Sequence, residues 1–133
     1  MNKSINRGVS AEMLVAHKLS ELGFNISFPI SHLTQYDLIC DTGVNLYRIQ
    51  IKRAFDLKNK DYTYRSVGCG RKKTEENTIG KYSENAFDFI IICDIDNNCF
   101  WVIPRKIMGN KKQIYASSKN YNKYKNNFSF LTD

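Results

Sequence analysis

Three polar side chains interrupt two apolar runs in the segment QYDLICDTGVNLYRIQIKRAF. Asp37 stands at the head of the first run, while Gln50 and Lys52 lie inside the second. Because the side chains of a strand alternate between its two faces, Gln50 and Lys52 would project together, opposite Ile49 and Ile51. A hairpin turn at DTGVN would make the two strands antiparallel, and it would bring Asp37 beside Gln50 and Lys52.

A fourth polar residue, Glu12, belongs to the apolar stripe of a predicted helix. It precedes Val15, Ala16 and Leu19 by three, four and seven positions, the spacing of residues that share one helix face. A carboxylate rarely faces a core unless another group pairs with it. Glu12 is therefore a candidate to join Asp37 in a single site.

Together these side chains have the chemistry of metal-assisted phosphodiester hydrolysis. The carboxylates of Glu12 and Asp37 and the amide oxygen of Gln50 are ligands of the class that suits Mg²⁺, with Mn²⁺ as a substitute. Lys52 could orient a water or offset charge that builds on a phosphate. Taken singly, each residue also has a structural interpretation: Glu12 at the positive end of the helix dipole, Asp37 in a turn, and Gln50 and Lys52 on a solvated strand face.

The flanking segments predict how these residues are positioned. SAEMLVAHKLSELGF predicts a helix, with Ser10 as N-cap and Gly23 as the C-terminal stop. Strands are predicted at FNISFPI, DLIC, LYRIQIKRA, DFIIICDI and CFWVIP, and TEENTIGKYSENAF predicts a short helix. The C-terminal stretch has few core-forming residues before Phe128, Phe130 and Leu131, so we expect it to dock only through these residues. The order predicts one mixed α+β domain over residues 1–133, with a central sheet flanked by helices.

Composition excludes several classes of protein. No apolar run approaches the roughly 18 residues of a membrane span, and MNKSINRGVS lacks the apolar core of a signal peptide. We therefore expect a cytoplasmic protein without a membrane partner. The four cysteines never form a CxxC pair, so we expect free thiols rather than a zinc site.

Positive charge is concentrated in two segments. The chain carries a net charge of +7, and residues 48–81 hold ten Lys or Arg against four acids. Residues 105–125 hold seven bases and no acid. Such clusters are typical of proteins that bind polyanions, although surface lysines alone would give the same count.

We expect a basic, glycine-punctuated loop or hairpin at about 55–80 to lie along DNA, and a second basic part at 105–133. The candidate DNA-binding residues are basic or aromatic side chains beside the site and in this loop: Arg48, Arg53, Lys58, Lys60, Tyr62, Tyr64, Arg65, Arg71, Lys72 and Lys73.

The segments GVSAEMLVAHKLSELGF, QYDLICD, RIQIKRA and DFIIICD…FWVIP resemble the PD-(D/E)XK nuclease superfamily. The chain looks most like the homing endonucleases associated with group I introns, and next most like Holliday-junction resolvases. The resemblance implies a restriction-endonuclease-like αβββαβ core, a dimer or tetramer, and Mg²⁺-dependent cleavage of double-stranded DNA. The resemblance also implies that Asp37, Gln50 and Lys52 are the active-site residues and that Glu12 is the helix carboxylate. Tyr36 replaces the motif proline, and Gln50 replaces the motif acid.

The sequence thus predicts a sequence-specific, Mg²⁺-dependent DNA endonuclease of the homing type. One alternative keeps the chemistry but cleaves a Holliday junction or another branched structure. A second is a catalytically inactive DNA-binding module, because Gln50 removes a charge from the metal site. A third is a protein-interaction domain whose lysines are incidental.

Overall fold

A computed structural model of the chain describes residues 3–31, 33–58, 63–69 and 82–132. The chain contains, in order, helix α1 (Lys3–Glu21), strands β1 (Asn25–Ser27), β2 (Leu38–Asp41), β3 (Leu46–Arg53), β4 (Phe55–Lys58), β5 (Thr63–Gly68), β6 (Phe89–Asp94) and β7 (Cys99–Pro104), helix α2 (Arg105–Met108), strand β8 (Gln113–Tyr115), and two 3-10 helices (Lys119–Tyr124 and Phe128–Leu131).

A five-stranded mixed sheet forms the centre of the fold, in the order β1-β2-β3-β6-β7. β3 pairs antiparallel with β2 and parallel with β6, while the β1–β2 and β6–β7 pairs are antiparallel. All five predicted core strands are therefore present, and the predicted mixed α+β class is confirmed. Within the described part of the β3–β6 crossover, the chain forms strands and turns rather than a helix.

Helix α1 packs its buried stripe against one face of this sheet. Ala11, Val15 and Leu19 are at most 1% exposed, and they share a core cluster with apolar residues of β2, β3, β6 and β7. The helix begins at Lys3, so the prediction of Ser10 as its N-cap is wrong: Ser10 is an exposed residue inside the helix. Residues 3–9 continue the helix ahead of Ala11, the first residue of the buried stripe.

The predicted stop at Gly23 is correct. Gly23 has a φ of 90°, which glycine adopts without a steric penalty. Its N–H donates to the carbonyl of Ser20 at 3.0 Å, and the next N–H, that of Phe24, donates to Leu19 at 3.2 Å. These bonds satisfy carbonyls that the last turn of the helix would otherwise leave unpaired.

A second, three-stranded sheet in the order β4-β5-β8 lies beside the first. The segment predicted as a loop or hairpin at 55–80 is thus a hairpin in its described part, and β8 extends it through pairs such as Val67 with Ile114. Residues 70–81 lie outside the described residues, as does most of the predicted short helix. The described end of that helix, residues 82–87, forms a turn.

The C-terminal part contributes more to the core than its composition predicts. Tyr121 and Tyr124 are buried on the first 3-10 helix, and Leu131 is completely buried beside α1. The prediction that this stretch docks only through its last apolar residues is therefore wrong. Tyrosines spaced three apart share one side of a 3-10 helix, so a sequence of mostly polar residues can still bury two rings.

The remaining core predictions are confirmed within the described residues. Cys40, Cys69, Cys93 and Cys99 are buried free thiols, and burial raises the pKa of Cys40 and Cys69 to about 11. Trp101 is buried as well. Among the described residues, no helix is both long enough and apolar enough to cross a membrane.

Truncation of Leu131 tests whether the C-terminal segment belongs to the core. We expect Leu131→Ala to lower the free energy of unfolding by about 2–5 kcal/mol, because it removes a fully buried side chain. Urea unfolding followed by circular dichroism would measure the loss. Asn122→Ala, an exposed position in the same segment, is the matched control, and equal effects of both changes would contradict this packing.

Candidate active site

Asp37 is anchored to β3 by its main chain and its side chain. Its N–H donates to the carbonyl of Ile49 at 2.8 Å, and its Oδ2 accepts from the N–H of Ile51 at 2.7 Å. These bonds fall on the residues immediately before and after Gln50. The sequence prediction that Asp37 lies beside Gln50 is therefore met by direct contacts to both neighbours of Gln50.

The side-chain amide of Gln50 has a defined orientation. Its Nε2 donates to the main-chain carbonyl of Gln35 at 3.0 Å, and its Oε1 accepts from the N–H of Ile51 at 3.1 Å. Oxygen atoms of Gln50 and Asp37 thus share one N–H group. Gln50 is buried, with 8% of its surface exposed, so it does not belong to a solvated strand face.

Glu12 reaches Asp37 from helix α1. The two carboxyl groups interact through charge and hydrogen bonding, so that each alters the pKa of the other. Asp37 immediately precedes β2, so the helix carboxylate meets the sheet at the point where that strand begins. A carboxylate beside the buried stripe was predicted to need a partner, and for Glu12 that partner is Asp37.

The pKa values of this carboxyl pair are displaced upward. Burial, followed by the charge and the hydrogen bond of Asp37, raises the pKa of Glu12 to about 7. Burial also raises the pKa of Asp37, although the N–H of Ile51, the hydrogen bond from Glu12 and the charge of Lys52 oppose that shift. Burial thus favours the protonated forms of both carboxyl groups.

Lys52 lies on the same face of β3 as Gln50, as the alternation predicts. Parallel pairing sets Gln50 beside Ile90 and Lys52 beside Ile92, two residues of the core cluster on the face away from α1. Lys52 is close enough for its charge to lower the pKa of Asp37. Glu12 therefore approaches from the helix face, while Gln50 and Lys52 occupy the other face.

The donor atoms that converge here suit a hard divalent cation. Two carboxyl groups and one amide oxygen provide oxygen ligands only, which favours Mg²⁺ over softer metals. A cation would also offset the charge of Asp37, which together with burial raises the pKa of Glu12. Among the described residues, no group of three or more His, Cys, Asp or Glu side chains could hold a metal, so the third protein ligand would have to be an amide such as Gln50.

The candidate DNA-binding residues occupy different environments. The Arg48 Nε atom lies 3.9 Å from Asp88 Oδ2, and its side chain is 42% exposed. Arg65 forms ion pairs with Asp56 and Asp94, at 2.5 and 3.0 Å, so its charge is already neutralised within the protein.

The remaining members of this set are Arg53 and seven residues of the hairpin and loop. The Nε atom of Arg53 is buried and has no hydrogen-bond partner among the described residues. Lys58 and Tyr64 belong to β4 and β5, and their side chains lie outside the description. The other five lie entirely outside the described residues: Lys60, Tyr62, Arg71, Lys72 and Lys73.

Comparison of the chain with known protein families agrees with the geometry of this candidate site. Residues 3–131 match the family model described as PD-(D/E)XK endonuclease. The chain belongs to the PD-(D/E)XK endonuclease family. This match spans nearly the whole sequence, and the suspected relationship is confirmed.

Two relatives are similar to this PD-(D/E)XK endonuclease over much of its length. Protein 5.3 of Escherichia phage T7 is 25% identical over 95 residues, which are 69% of this chain and 74% of that protein. The solved structure of the bacterial homing endonuclease I-Ssp6803I gives a TM-score of 0.85 at 18% identity, covering 98% of this chain and 93% of that one. The second likeness shows that the two proteins share a fold.

Family membership makes this protein a DNA nuclease, and so an enzyme that hydrolyses phosphodiester bonds. The interpretation as a protein-interaction domain with incidental lysines is therefore wrong. Proteins of this family generally use divalent metal ions, a requirement that the oxygen donors of Glu12, Asp37 and Gln50 could meet.

Two residues of this PD-(D/E)XK nuclease escaped the sequence analysis. Gln35 contacts Gln50 through its main chain, and main-chain contacts leave no trace in residue type. Asp88 accepts a hydrogen bond from the N–H of Arg48 at 2.8 Å, and its own N–H donates to the carbonyl of Arg48. In the sequence, the only indication of these two hydrogen bonds was a polar residue, Asp88, directly before the apolar run of β6.

The raised pKa of Glu12 predicts a pH-dependent loss of stability in the metal-free protein. The folded protein holds the proton more tightly than the unfolded chain, so this stabilisation is complete below about pH 4.5 and is lost as the pH rises through about 7. Relative to wild type, Glu12→Gln should therefore become progressively more stable over this range. Urea unfolding of both proteins, with EDTA present, measures the difference.

Glu84→Gln, which changes an exposed carboxylate, is the control for this experiment. We expect its stability difference from wild type to stay flat over the same pH range. A flat difference for Glu12→Gln as well would contradict the coupling between Glu12 and Asp37.

Proposed function

We propose that the protein is a Mg²⁺-dependent, sequence-specific endonuclease of the homing type that cuts double-stranded DNA. The observation that carries this proposal is the shared N–H of Ile51, which draws Asp37 Oδ2 and Gln50 Oε1 together. The hydrogen bond between Asp37 and Glu12 adds a third oxygen donor to the same place. Lys52 supplies the positive charge that the chemistry requires beside these donors.

In this proposal Glu12, Asp37 and Gln50 hold the metal ion. When bound, Mg²⁺ would polarise the scissile phosphate and make a water molecule more acidic. Asp37 is fixed by two hydrogen bonds to β3, so its carboxylate needs little reorganisation to bind the ion. Lys52 orients the attacking water, or stabilises the negative charge that develops on the phosphate.

The glutamine at the position of the motif acid is compatible with activity in this arrangement. Glu12 and Asp37 provide two carboxyl groups, and burial, followed by the charge of Asp37, already raises the pKa of Glu12. Gln50 adds an oxygen ligand without adding a third negative charge. We therefore favour an active enzyme over an inactive DNA-binding module.

Cleavage of both strands requires two active sites, so we propose that the protein acts as a homo-oligomer, a dimer or a tetramer, with symmetric half-sites. Arg48 and Arg53 flank the catalytic residues on β3, where they could contact backbone phosphates. The loop residues Lys58, Lys60, Tyr62, Tyr64, Arg71, Lys72 and Lys73 remain candidates for DNA contact, and Arg65 would contact DNA only if its ion pairs loosened.

The homing assignment rests on the fold shared with I-Ssp6803I, which its structure report calls a bacterial homing endonuclease. That likeness extends over 98% of this chain, so the scaffolds correspond from end to end. Homing requires a long and specific target, and the hairpin β4–β5 extends directly from the strand that carries Gln50 and Lys52. A specificity element could therefore be placed next to the scissile bond.

Cleavage of a randomised duplex library tests this function. We expect wild type to cut a defined subset of sequences only when Mg²⁺ or Mn²⁺ is present, with the ends identified by sequencing. Asp37→Ala and Lys52→Met should each lower the rate at least about 100-fold, because they remove a metal ligand and the charge beside the phosphate. Asp96→Asn, which changes an exposed carboxylate in the turn between β6 and β7, is the control.

A four-way junction and single-stranded DNA serve as competing substrates in the same assay. Preferential cutting of the junction would replace the homing assignment with a structure-specific nuclease. Salt-sensitive DNA binding without cleavage of any substrate, with either metal, would support the inactive module. Cleavage that Asp37→Ala leaves unchanged would contradict the proposed site.

A further inference from the structure

Gln35 touches the proposed metal site through its main chain and the rest of the protein through its side chain. Its carbonyl oxygen accepts from Gln50 Nε2 at 3.0 Å. Its side-chain Oε1 accepts from the N–H of Ser83 at 3.0 Å and lies 3.4 Å from the Ser83 hydroxyl. One residue therefore connects Gln50 with the segment that precedes β6.

The carbonyl of Gln35 determines which end of the Gln50 amide faces Asp37. A carbonyl oxygen can only accept a hydrogen bond, so it selects the NH₂ end of the amide. The oxygen end is then directed to the other side, where it meets the N–H of Ile51 together with Asp37 Oδ2. If the amide were reversed, an NH₂ group would lie where a metal ligand is needed.

The segment around Ser83 is itself well supported. Tyr82 is buried and packs edge-to-face on Phe87, with ring centroids 5.1 Å apart. Arg105 donates from Nη2 to the carbonyls of Tyr82 and Ser83, at 3.3 and 3.4 Å. On the other side of Gln35, the hydroxyl of Thr34 donates to the carbonyl of Tyr36 at 2.9 Å. Gln35 is thus positioned by the Ser83 segment through its side chain, and by the Thr34–Tyr36 hydrogen bond that spans it in the chain.

We propose that Gln35 is a positioning residue, which orients Gln50 for metal binding and makes glutamine, rather than an acid, the residue required at position 50. This inference rests on the proposed function for the role of Gln50. A glutamate at position 50 would set a carboxylate oxygen against the carbonyl of Gln35, and neither group has a hydrogen to share. The departure from the family motif is then a consequence of the local hydrogen bonds.

Three variants separate the acceptor role of the Gln35 side chain from other roles. Gln35→Met keeps its length but loses the acceptor, whereas Gln35→Glu keeps an acceptor for the N–H of Ser83. Ser83→Ala removes only the more distant hydroxyl and retains that N–H, so it is the matched control. Circular dichroism and thermal unfolding establish that each variant is folded.

The first readout is hydrogen exchange of the Gln50 side-chain amide, measured by ¹H–¹⁵N NMR on metal-free protein. Gln50→Glu identifies the signals by their loss. We expect exchange to accelerate roughly three- to tenfold in Gln35→Met, the effect of weakening one neutral hydrogen bond, and to stay near wild type in Gln35→Glu and Ser83→Ala. Unchanged exchange in Gln35→Met, or equal acceleration in Gln35→Glu, would overturn the proposal.

The second readout is cleavage at saturating DNA, which reports kcat separately from KM. We expect Gln35→Met to lower kcat roughly three- to tenfold with little change in KM, Gln35→Glu to restore kcat, and Gln50→Glu to fall below wild type. Gln50→Glu activity equal to or above wild type would overturn the requirement for glutamine. If wild type itself cuts no DNA, the proposed function fails, and the exchange measurement still decides whether Gln35 orients Gln50.

Discussion

The N–H group of Ile51 is the constraint on which the candidate site depends. β2 begins at Leu38, opposite Ile49, so the later residues of β3 lie past the start of this neighbour. The N–H of Ile51 therefore donates to side chains, those of Asp37 and Gln50, instead of to a carbonyl of β2. A buried N–H without a partner would cost about 1–3 kcal/mol, so folding itself draws these two oxygens together.

The two faces of the sheet bring different residues to Asp37 and Gln50. On one face, helix α1 buries Ala11, Val15 and Leu19 and delivers Glu12 to Asp37. On the other face, Lys52 projects beside Gln50. The site therefore gathers acids from the helix face and the start of β2, and a base from the opposite face. This arrangement concentrates opposite charges around a short stretch of backbone, where a metal ion and a phosphate could be held together.

The alternation of β3 and the acid on α1 could be predicted from sequence because both follow from periodicity. Period-two and helical spacing assign Gln50, Lys52 and Glu12 to faces without knowledge of tertiary contacts. The start of α1 could not be found in this way, because residues 6–9 are exposed and carry no periodic signal. Burial of Tyr121 was missed for a related reason: 3-10 helices are too short to leave a periodic pattern.

The finer geometry of the site was beyond prediction because main-chain atoms create it. Neither the carbonyl of Gln35 nor the N–H of Ile51 depends on residue type, yet together they fix the Gln50 amide. Sequence reasoning could therefore name the ligands but not their orientation. It also assigned Arg65 to DNA from charge alone, whereas Asp56 and Asp94 already pair with it.

Anomalous diffraction from crystals grown with Mn²⁺ tests the central claim most directly, because it locates the ion without any need for the DNA target. The account predicts one strong peak bounded by oxygen atoms of Asp37, Gln50 and Glu12, at metal–oxygen distances of about 2.0–2.2 Å. It also predicts that Asp37→Ala abolishes the peak. A peak elsewhere, or an ion that leaves Gln50 Oε1 uncoordinated, would contradict it.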